Sequence, residues 1–276
     1  LTWFKVILNC FIIYFLIFIV SLIYIFYLSK DLPSLDELQK FNPQQVSKII
    51  SADGVVVKKL YTHKRDMVNI SHIPVHLRNA LFAMEDRDFY SHSGISIKGT
   101  IRAIIVDVLT LSTRQGASTI TQQLARNMYN SIGFKKTITR KIKELITAIK
   151  IEQTYTKTEI LELYLNSIYF GHGNYGVQSA SIYYFNKNVK ELTIDESAIL
   201  IGLLPAPARY SPISHPTRSI KRRNLVLNIM NSEGYISEKE LNINLDKKLN
   251  VSKGDFNKSI APHYTEYVRR ELEKID

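Results

Sequence analysis

Cysteine is almost missing from this 276-residue chain: Cys10 is the single one and sits in an apolar run. Structural disulfides and cysteine-based metal sites are therefore excluded within it. No internal repeat or low-complexity tract interrupts the sequence. Neither Ser-x-x-Lys nor Lys-Thr-Gly occurs, which excludes the acyl-serine chemistry those motifs carry. Charge is absent between Lys5 and Lys30. Residues 6–28 are nearly all Ile, Leu, Phe, Tyr and Val, and about 20 such residues cross a bilayer. A soluble amphipathic helix would carry a polar stripe. A cleaved signal is the competing reading, but the run is too long for a signal core and no A-x-A-like site follows it. Residues 6–28 thus read as one transmembrane anchor. Lys5 and Lys30 flank it symmetrically, so the positive-inside rule does not orient it.

What is abundant is positive charge. Lys and Arg number 36 against 25 Asp and Glu, a net +11. Such a balance suits a polyanion, and beside a membrane anchor it favours lipid headgroups or pyrophosphate over nucleic acid. Beyond the anchor, residues 29–45 form a polar connector with Pro33 and Pro43. Residues 46–250 are long enough for one large domain or a domain with a small lobe. Two β-branched runs, 46–51 and 55–61, flank Ala52-Asp53-Gly54 and predict a hairpin. From Pro74 onward the signals turn helical. Thr156/Glu159, Thr193/Glu196 and Ser237/Glu240 have capping-box spacing, and Pro205, Pro207, Pro212 and Pro216 break the chain between the last two. Within residues 251–276, 264–275 predict one more amphipathic helix, with a further domain expected beyond.

Three clusters offer chemistry. In residues 85–94, Glu85 and Asp86 close an apolar helix, where the macrodipole disfavours carboxylates; a solvated helix end is the plainer explanation. In residues 116–123, Ser118, Thr119, Gln122 and Gln123 offer hydroxyls and amides to sugar or phosphate oxygens, or simply cap a helix. In residues 135–144, helical spacing puts Ile138, Ile142, Leu145, Ile146 and Ile149 on one face and Arg140 with Glu144 on the other. An exposed ion pair would explain the latter equally well. Other signals are set aside. Gly171-x-Gly173-x-x-Gly176 follows an apparent helix rather than a strand. Pro74 separates His72 from His76, and Lys221-Arg222-Arg223 fits either phosphate contact or solvation.

In this order the clusters resemble the peptidoglycan glycosyltransferase family, that is, the glycosyltransferase module of class A penicillin-binding proteins and the monofunctional transglycosylases. E-D-x-x-F-x-x-H-x-G is met at 85–94, G-x-S-T-I-T-Q-Q at 116–123, R-K-x-x-E at 140–144 and K-x-x-I-L-x-x-Y-L-N at 157–166. Two positions depart from the pattern: Arg126 stands where lysine is usual, and Lys136 where arginine is common. Charge is kept at both, but ammonium and guanidinium hold phosphate differently.

The resemblance implies a mainly helical, lysozyme-like domain with a smaller membrane-proximal lobe. It implies polymerisation of lipid II and a growing lipid-linked glycan at the outer face of the cytoplasmic (inner) membrane, where other cell-wall synthesis proteins are expected partners. Glu85 is then the general base and Glu144 the second catalytic carboxylate. Arg126, Lys136, Arg140 and Lys141 are expected on pyrophosphate. Asp86, Phe89, Ser118, Thr119, Gln122, Gln123 and Asn127 are also expected to bind substrate, Ser118, Thr119, Gln122 and Gln123 through sugar or phosphate oxygens. Phe89 and His92 are expected to shape the first motif. A divalent cation, Mg or Mn, is expected at the donor pyrophosphate, with no ligand set defined. Residues 101–111 suit either a bilayer surface or a core helix. A lytic muramidase and a membrane-tethered precursor-binding scaffold are the competing functions.

Overall fold

The computed structural model describes residues 2–39, 47–60, 64–101, 118–129, 132, 137–252 and 261–272. Its longest element is α1 (Thr2–Ser29), a 28-residue helix. Apolar side chains from Trp3 to Tyr27 are exposed on every side of it. At ~1.5 Å per residue such a helix runs about 42 Å, beyond the roughly 30 Å of a bilayer core. Trp3–Ser29 is thus long and apolar enough to cross a membrane.

After α1 comes a short helix, α2 (Leu35–Gln39). A hairpin follows, β1 (Ser47–Ile50) pairing antiparallel with β2 (Val56–Leu60). Gly54, at φ +83°, turns it where the sequence predicts. Next are β3 (Lys64–Arg65), α3 (Val75–Glu85), α4 (Ile120–Met128), α5 (Ile138–Thr154) and α6 (Lys157–Ser167). A small hairpin, β4 (Tyr169–Gly171) with β5 (Asn174–Tyr175), precedes α7 (Val177–Phe185). The remainder is α8 (Ile194–Leu203), the one-turn α9 (Pro207–Tyr210), α10 (Pro216–Ser232), α11 (Glu238–Asp246) and α12 (Pro262–Leu272). The fold is mainly helical, as expected.

The capping signals act locally as read. Glu159 and Glu240 each reach back to the cap residue's N–H while Thr156 and Ser237 receive the third helical N–H. At α8, Glu196 accepts the Thr193 N–H, but the Thr193 hydroxyl turns to Asp195. Pro207 and Pro216 open α9 and α10, because proline at the first helical position lacks only an N–H that has no partner there anyway.

Two expectations are corrected. The glycine run 171–176 follows a strand, β4, rather than a helix. That strand belongs to an antiparallel hairpin, which is not dinucleotide-binding topology. Gly176, at φ +81°, is required because a Cβ there would lie 2.8 Å from the Asn166 carbonyl. Nor are residues 29–39 a free polar linker. Leu28, Leu32 and Leu38 are buried. Lys150 Nζ donates to the Pro33 carbonyl (3.0 Å), Tyr155 to that of Leu38, and Lys143 lies 3.7 Å from Asp31. Tyr24 of α1 also meets Thr139 at 2.9 Å. The end of α1 is therefore seated on α5. Of the 101–111 stretch, 102–111 lie outside the described residues.

Packing gathers the helices into two groups. Helix α8 is buried from Asp195 to its end, covered by α3, α9 and α10. Helix α4 packs between α5 and α6. Between α10 and α11, Arg223 is buried, donating to the carbonyls of Leu245 (3.1 Å) and Lys247 (2.7 Å). It thus satisfies the last turn of α11 in place of water. Arg223→Met should lower stability by about 2–4 kcal/mol, since the charged hydrogen bonds of a buried guanidinium to the Leu245 and Lys247 carbonyls are lost. Thermal unfolding of the full chain in detergent would read this.

Candidate active site

The two groups of helices meet at the C-terminal end of α3, where Glu85 and Asp86 lie. Asp86 ends the helix and is buried. Its Oδ2 accepts the Ile120 N–H (3.0 Å), the first of α4, so this carboxylate occupies the positive end of that helix. Its oxygens also accept from His92 Nε2 at 3.0 Å. The Gly94 N–H donates to His92 Nδ1 (3.2 Å), which fixes the tautomer with the proton on Nε2. Phe89 is buried under Lys157, whose ammonium sits 4.6 Å from the ring centroid. Gly94 itself, at φ +88°, passes so close to α5 that a Cβ would lie 3.0 Å from the Ala148 carbonyl.

The hydroxyl-rich cluster is less exposed than its composition suggests. Thr119 caps α4, accepting the Gln122 N–H (3.2 Å) and donating to the Gly94 carbonyl (2.7 Å). Gln122 donates to the same carbonyl (3.1 Å) and accepts from Lys141 Nζ (2.6 Å). Both Thr119 and Gln122 are buried, so their expected contact with sugar or phosphate gives way to support of the site. Ser118 is half-buried and accepts from Lys141 (2.8 Å). Asn127 is half-buried at the other end of α4.

On α5 the sequence expectation inverts. Ile138 is 81% and Ile149 41% exposed, whereas Glu144 is 1% exposed. The polar edge of this helix faces inward because three cations converge on Glu144. Arg140 Nε lies 3.4 Å from its Oε1, Arg126 Nη1 3.8 Å from the same oxygen, and Lys141 Nζ 3.4 Å from Oε2. Among the described residues, Glu144 Oε1 has no hydrogen-bond partner within bonding geometry. Burial pushes the Lys141 ammonium below its ordinary pKa, and Glu144 opposes that shift. Lys136, the other expected pyrophosphate ligand, lies outside the described residues.

Glu85 is half-buried between the two helix groups. Gln123 Nε2 donates to its Oε2 (2.8 Å), and Tyr164 in turn donates to Gln123 Oε1 (2.9 Å). Burial pushes the Glu85 carboxyl above its usual range; the Gln123 hydrogen bond and then the positive charges of Arg222 and Arg126 draw it back. Gln123 is thus committed to both Glu85 and Tyr164. Tyr164 and Arg222 are the residues that sequence reasoning passed over. Tyr164 stood in the fourth motif with no role, and Arg222 lay in a basic run set aside as ambiguous. No local pattern distinguishes Arg222, half-buried against Tyr210, from Arg223 beside it.

The site therefore offers one carboxylate poised to take a proton, next to a cationic cluster suited to phosphate oxygens. The described side chains alone make no complete ligand set for a divalent cation, so one at the donor pyrophosphate would take ligands from the phosphate oxygens. Among the described residues, no group of three or more His, Cys, Asp or Glu side chains gathers. Glu144 is ringed by positive charge, which repels a second cation.

Comparison with known proteins places the chain in a family. Residues 53–231 match the family described as Transglycosylase. Penicillin-binding protein 1F of Bacillus subtilis is 50% identical over 194 residues, covering 70% of this chain and 27% of that protein. Penicillin-binding protein 1A of Aquifex aeolicus is 44% identical over 237 residues, covering 86% and 32%. This chain thus spans about a third or less of the length of these relatives. The crystal structure of Penicillin-Binding Protein 1A from Haemophilus influenzae covers 85% of this chain and 25% of its own, at 28% identity and a TM-score of 0.48. On the strength of the matched span and these identities, the chain belongs to the transglycosylase family, the peptidoglycan glycosyltransferases found in class A penicillin-binding proteins.

Proposed function

We propose that this chain polymerises lipid II into β-1,4-linked glycan strands, releasing polyprenyl pyrophosphate with inversion at the anomeric carbon. The observation that carries the reading is the pairing of Glu85 with the cations around Glu144 across α4. Glu85 removes the proton from the acceptor 4-hydroxyl as that oxygen attacks the donor sugar. Arg126, Arg140 and Lys141, together with Lys136, stabilise the departing pyrophosphate, a leaving group that needs charge neutralisation more than a proton. Glu144 holds three of those cations in place. Asp86 and His92 lock the first motif to the start of α4, so Glu85 and Gln123 keep a fixed relation. No step is assigned to a metal ion.

The wider reading follows from the same family. The lysozyme-like form of the domain, anchoring of α1 in the cytoplasmic membrane with the catalytic part outside the cytoplasm, and work alongside other cell-wall synthesis proteins all belong to this proposal. One observation favours a lytic muramidase instead: burial raises the Glu85 carboxyl, as a glycosidase acid requires. The Gln123 donor and the Arg222 and Arg126 charges favour the ionised form, and the cation cluster has no use in hydrolysis.

The test is to incubate the full chain in detergent with labelled lipid II and divalent cation, and separately with finished peptidoglycan, resolving products by length. A polymer ladder is expected from lipid II, with finished strands unshortened. Shortening without a ladder would establish the muramidase. Binding of lipid II with neither product would establish the scaffold.

A further inference from the structure

Deep behind the cleft, a side chain that no substrate can reach is joined to the proposed base. Tyr164 is completely buried in α6. Its hydroxyl donates to Gln123 Oε1 at 2.9 Å, and Gln123 Nε2 donates to Glu85 Oε2 at 2.8 Å. A primary amide can sit in that gap in two orientations, turned by 180°. With its oxygen toward Glu85 it would repel an ionised carboxylate; with its NH₂ toward Glu85 it stabilises one. A phenol that donates to the amide oxygen selects the second. Burial holds the Tyr164 hydroxyl well above its ordinary pKa, so it stays a donor throughout the working pH range.

We propose that Tyr164 is a positioning residue for the reaction, acting through Gln123: its hydroxyl fixes the amide so that an N–H faces Glu85 and keeps that carboxylate ready to accept a proton. This rests on Glu85 being the general base. The three groups come from three elements, α3, α4 and α6, so their alignment is a product of packing. Glu85 also feels Asp86 beside it, Arg126 from α4 and Arg222 from α10. None of these is altered by removing the Tyr164 hydroxyl.

The experiment is the pH dependence of lipid II polymerisation by the full chain, comparing wild type, Tyr164→Phe, Gln123→Met, the double variant and Glu85→Gln. Tyr164→Phe frees the amide to turn, so Glu85 loses part of its hydrogen-bond donor and protonates more readily. The acidic limb of kcat should move up by about one pH unit, tenfold in the ionised fraction on that limb. The plateau should fall less than about threefold and KM should hold within about twofold, since Tyr164 touches no substrate. In the Gln123→Met background the same change should have no further effect on the limb.

An acidic limb that superimposes on wild type overturns the inference, as does an equal shift in both backgrounds. A rate loss uniform in pH, with a lowered unfolding temperature, would make Tyr164 merely structural. Should Tyr164→Phe not fold, Gln123→Met alone must show the shift, or the relay is wrong. Near-normal polymerisation by Glu85→Gln would instead remove the base itself, a failure distinct from an unmoved limb in a chain that still requires Glu85.

Discussion

Glu85→Gln should slow lipid II polymerisation by about 10²–10⁴-fold, the usual contribution of a positioned general base. The substitution is nearly isosteric, and the new amide oxygen can still accept from Gln123 Nε2. The fold should survive, and stability should move in the opposite direction to activity. Because burial raises the folded-state pKa of Glu85, its contribution to stability is fully present below the unfolded-state pKa and lost as pH rises through the folded one. At neutral pH the wild type therefore carries an unfavourable ionised carboxylate that Glu85→Gln lacks. The variant should unfold at an equal or higher temperature at pH 7, and that advantage should shrink as pH falls through the mildly acidic range. Thermal unfolding at several pH values, beside a polymerisation assay, checks both halves. A variant both inactive and markedly less stable would mean that Glu85 supports structure rather than chemistry.

Glu144→Gln carries the second large effect. Removing one negative charge from among Arg126, Arg140 and Lys141 leaves three like charges close together around a buried amide. Breaking a buried ion cluster costs about 3–5 kcal/mol when fully desolvated; here the cations are partly exposed, and about 2–3 kcal/mol is expected. Polymerisation should fall by about 10²-fold or more, because the cations no longer hold one geometry. Lys141, already shifted down by burial, would lose the carboxylate that opposes the shift. The alkaline limb of the pH–rate profile should therefore move to lower pH. Binding of inorganic pyrophosphate, measured by calorimetry, should be unchanged or tighter despite the lost turnover. Weaker binding would show that the lost geometry outweighs the gain in net positive charge.

Much of this site was readable in order along the chain, yet its depth was not. The resemblance carried by the four motifs singled out Glu85, Gln123, Lys141 and Glu144, where residue type and spacing alone left plainer explanations open. Periodicity put Ile138, Ile142, Leu145, Ile146 and Ile149 on one face of α5 and Glu144 on the other, yet packing buries Glu144 and leaves Ile138 and Ile149 exposed. The rule fails there because it supposes that apolar side chains set the inner face. Here a cluster of opposite charges does so, and the isoleucine face lies on the side where α1 ends. Thr119 and Gln122 mislead in the same way: their polarity suggested a surface, whereas hydrogen bonds to Gly94 and Lys141 satisfy them inside.

By itself the sequence determined the membrane-length helix, the hairpin about Gly54, the helical character and the capped helix starts. All of these follow from hydropathy, backbone preference and side-chain reach within a few residues of chain. Tertiary structure alone decided that Tyr164, Gln123 and Glu85 form one line, that Arg222 acts on Glu85 while Arg223 secures α11, and that Glu144 is buried among cations. Apart from Arg140 and Lys141, which are four and three positions from Glu144, these relations join residues between 18 and 137 positions apart. Only the packing of α3, α4, α5, α6 and α10 around a common core brings such groups within the few ångströms over which hydrogen bonds and buried charges act.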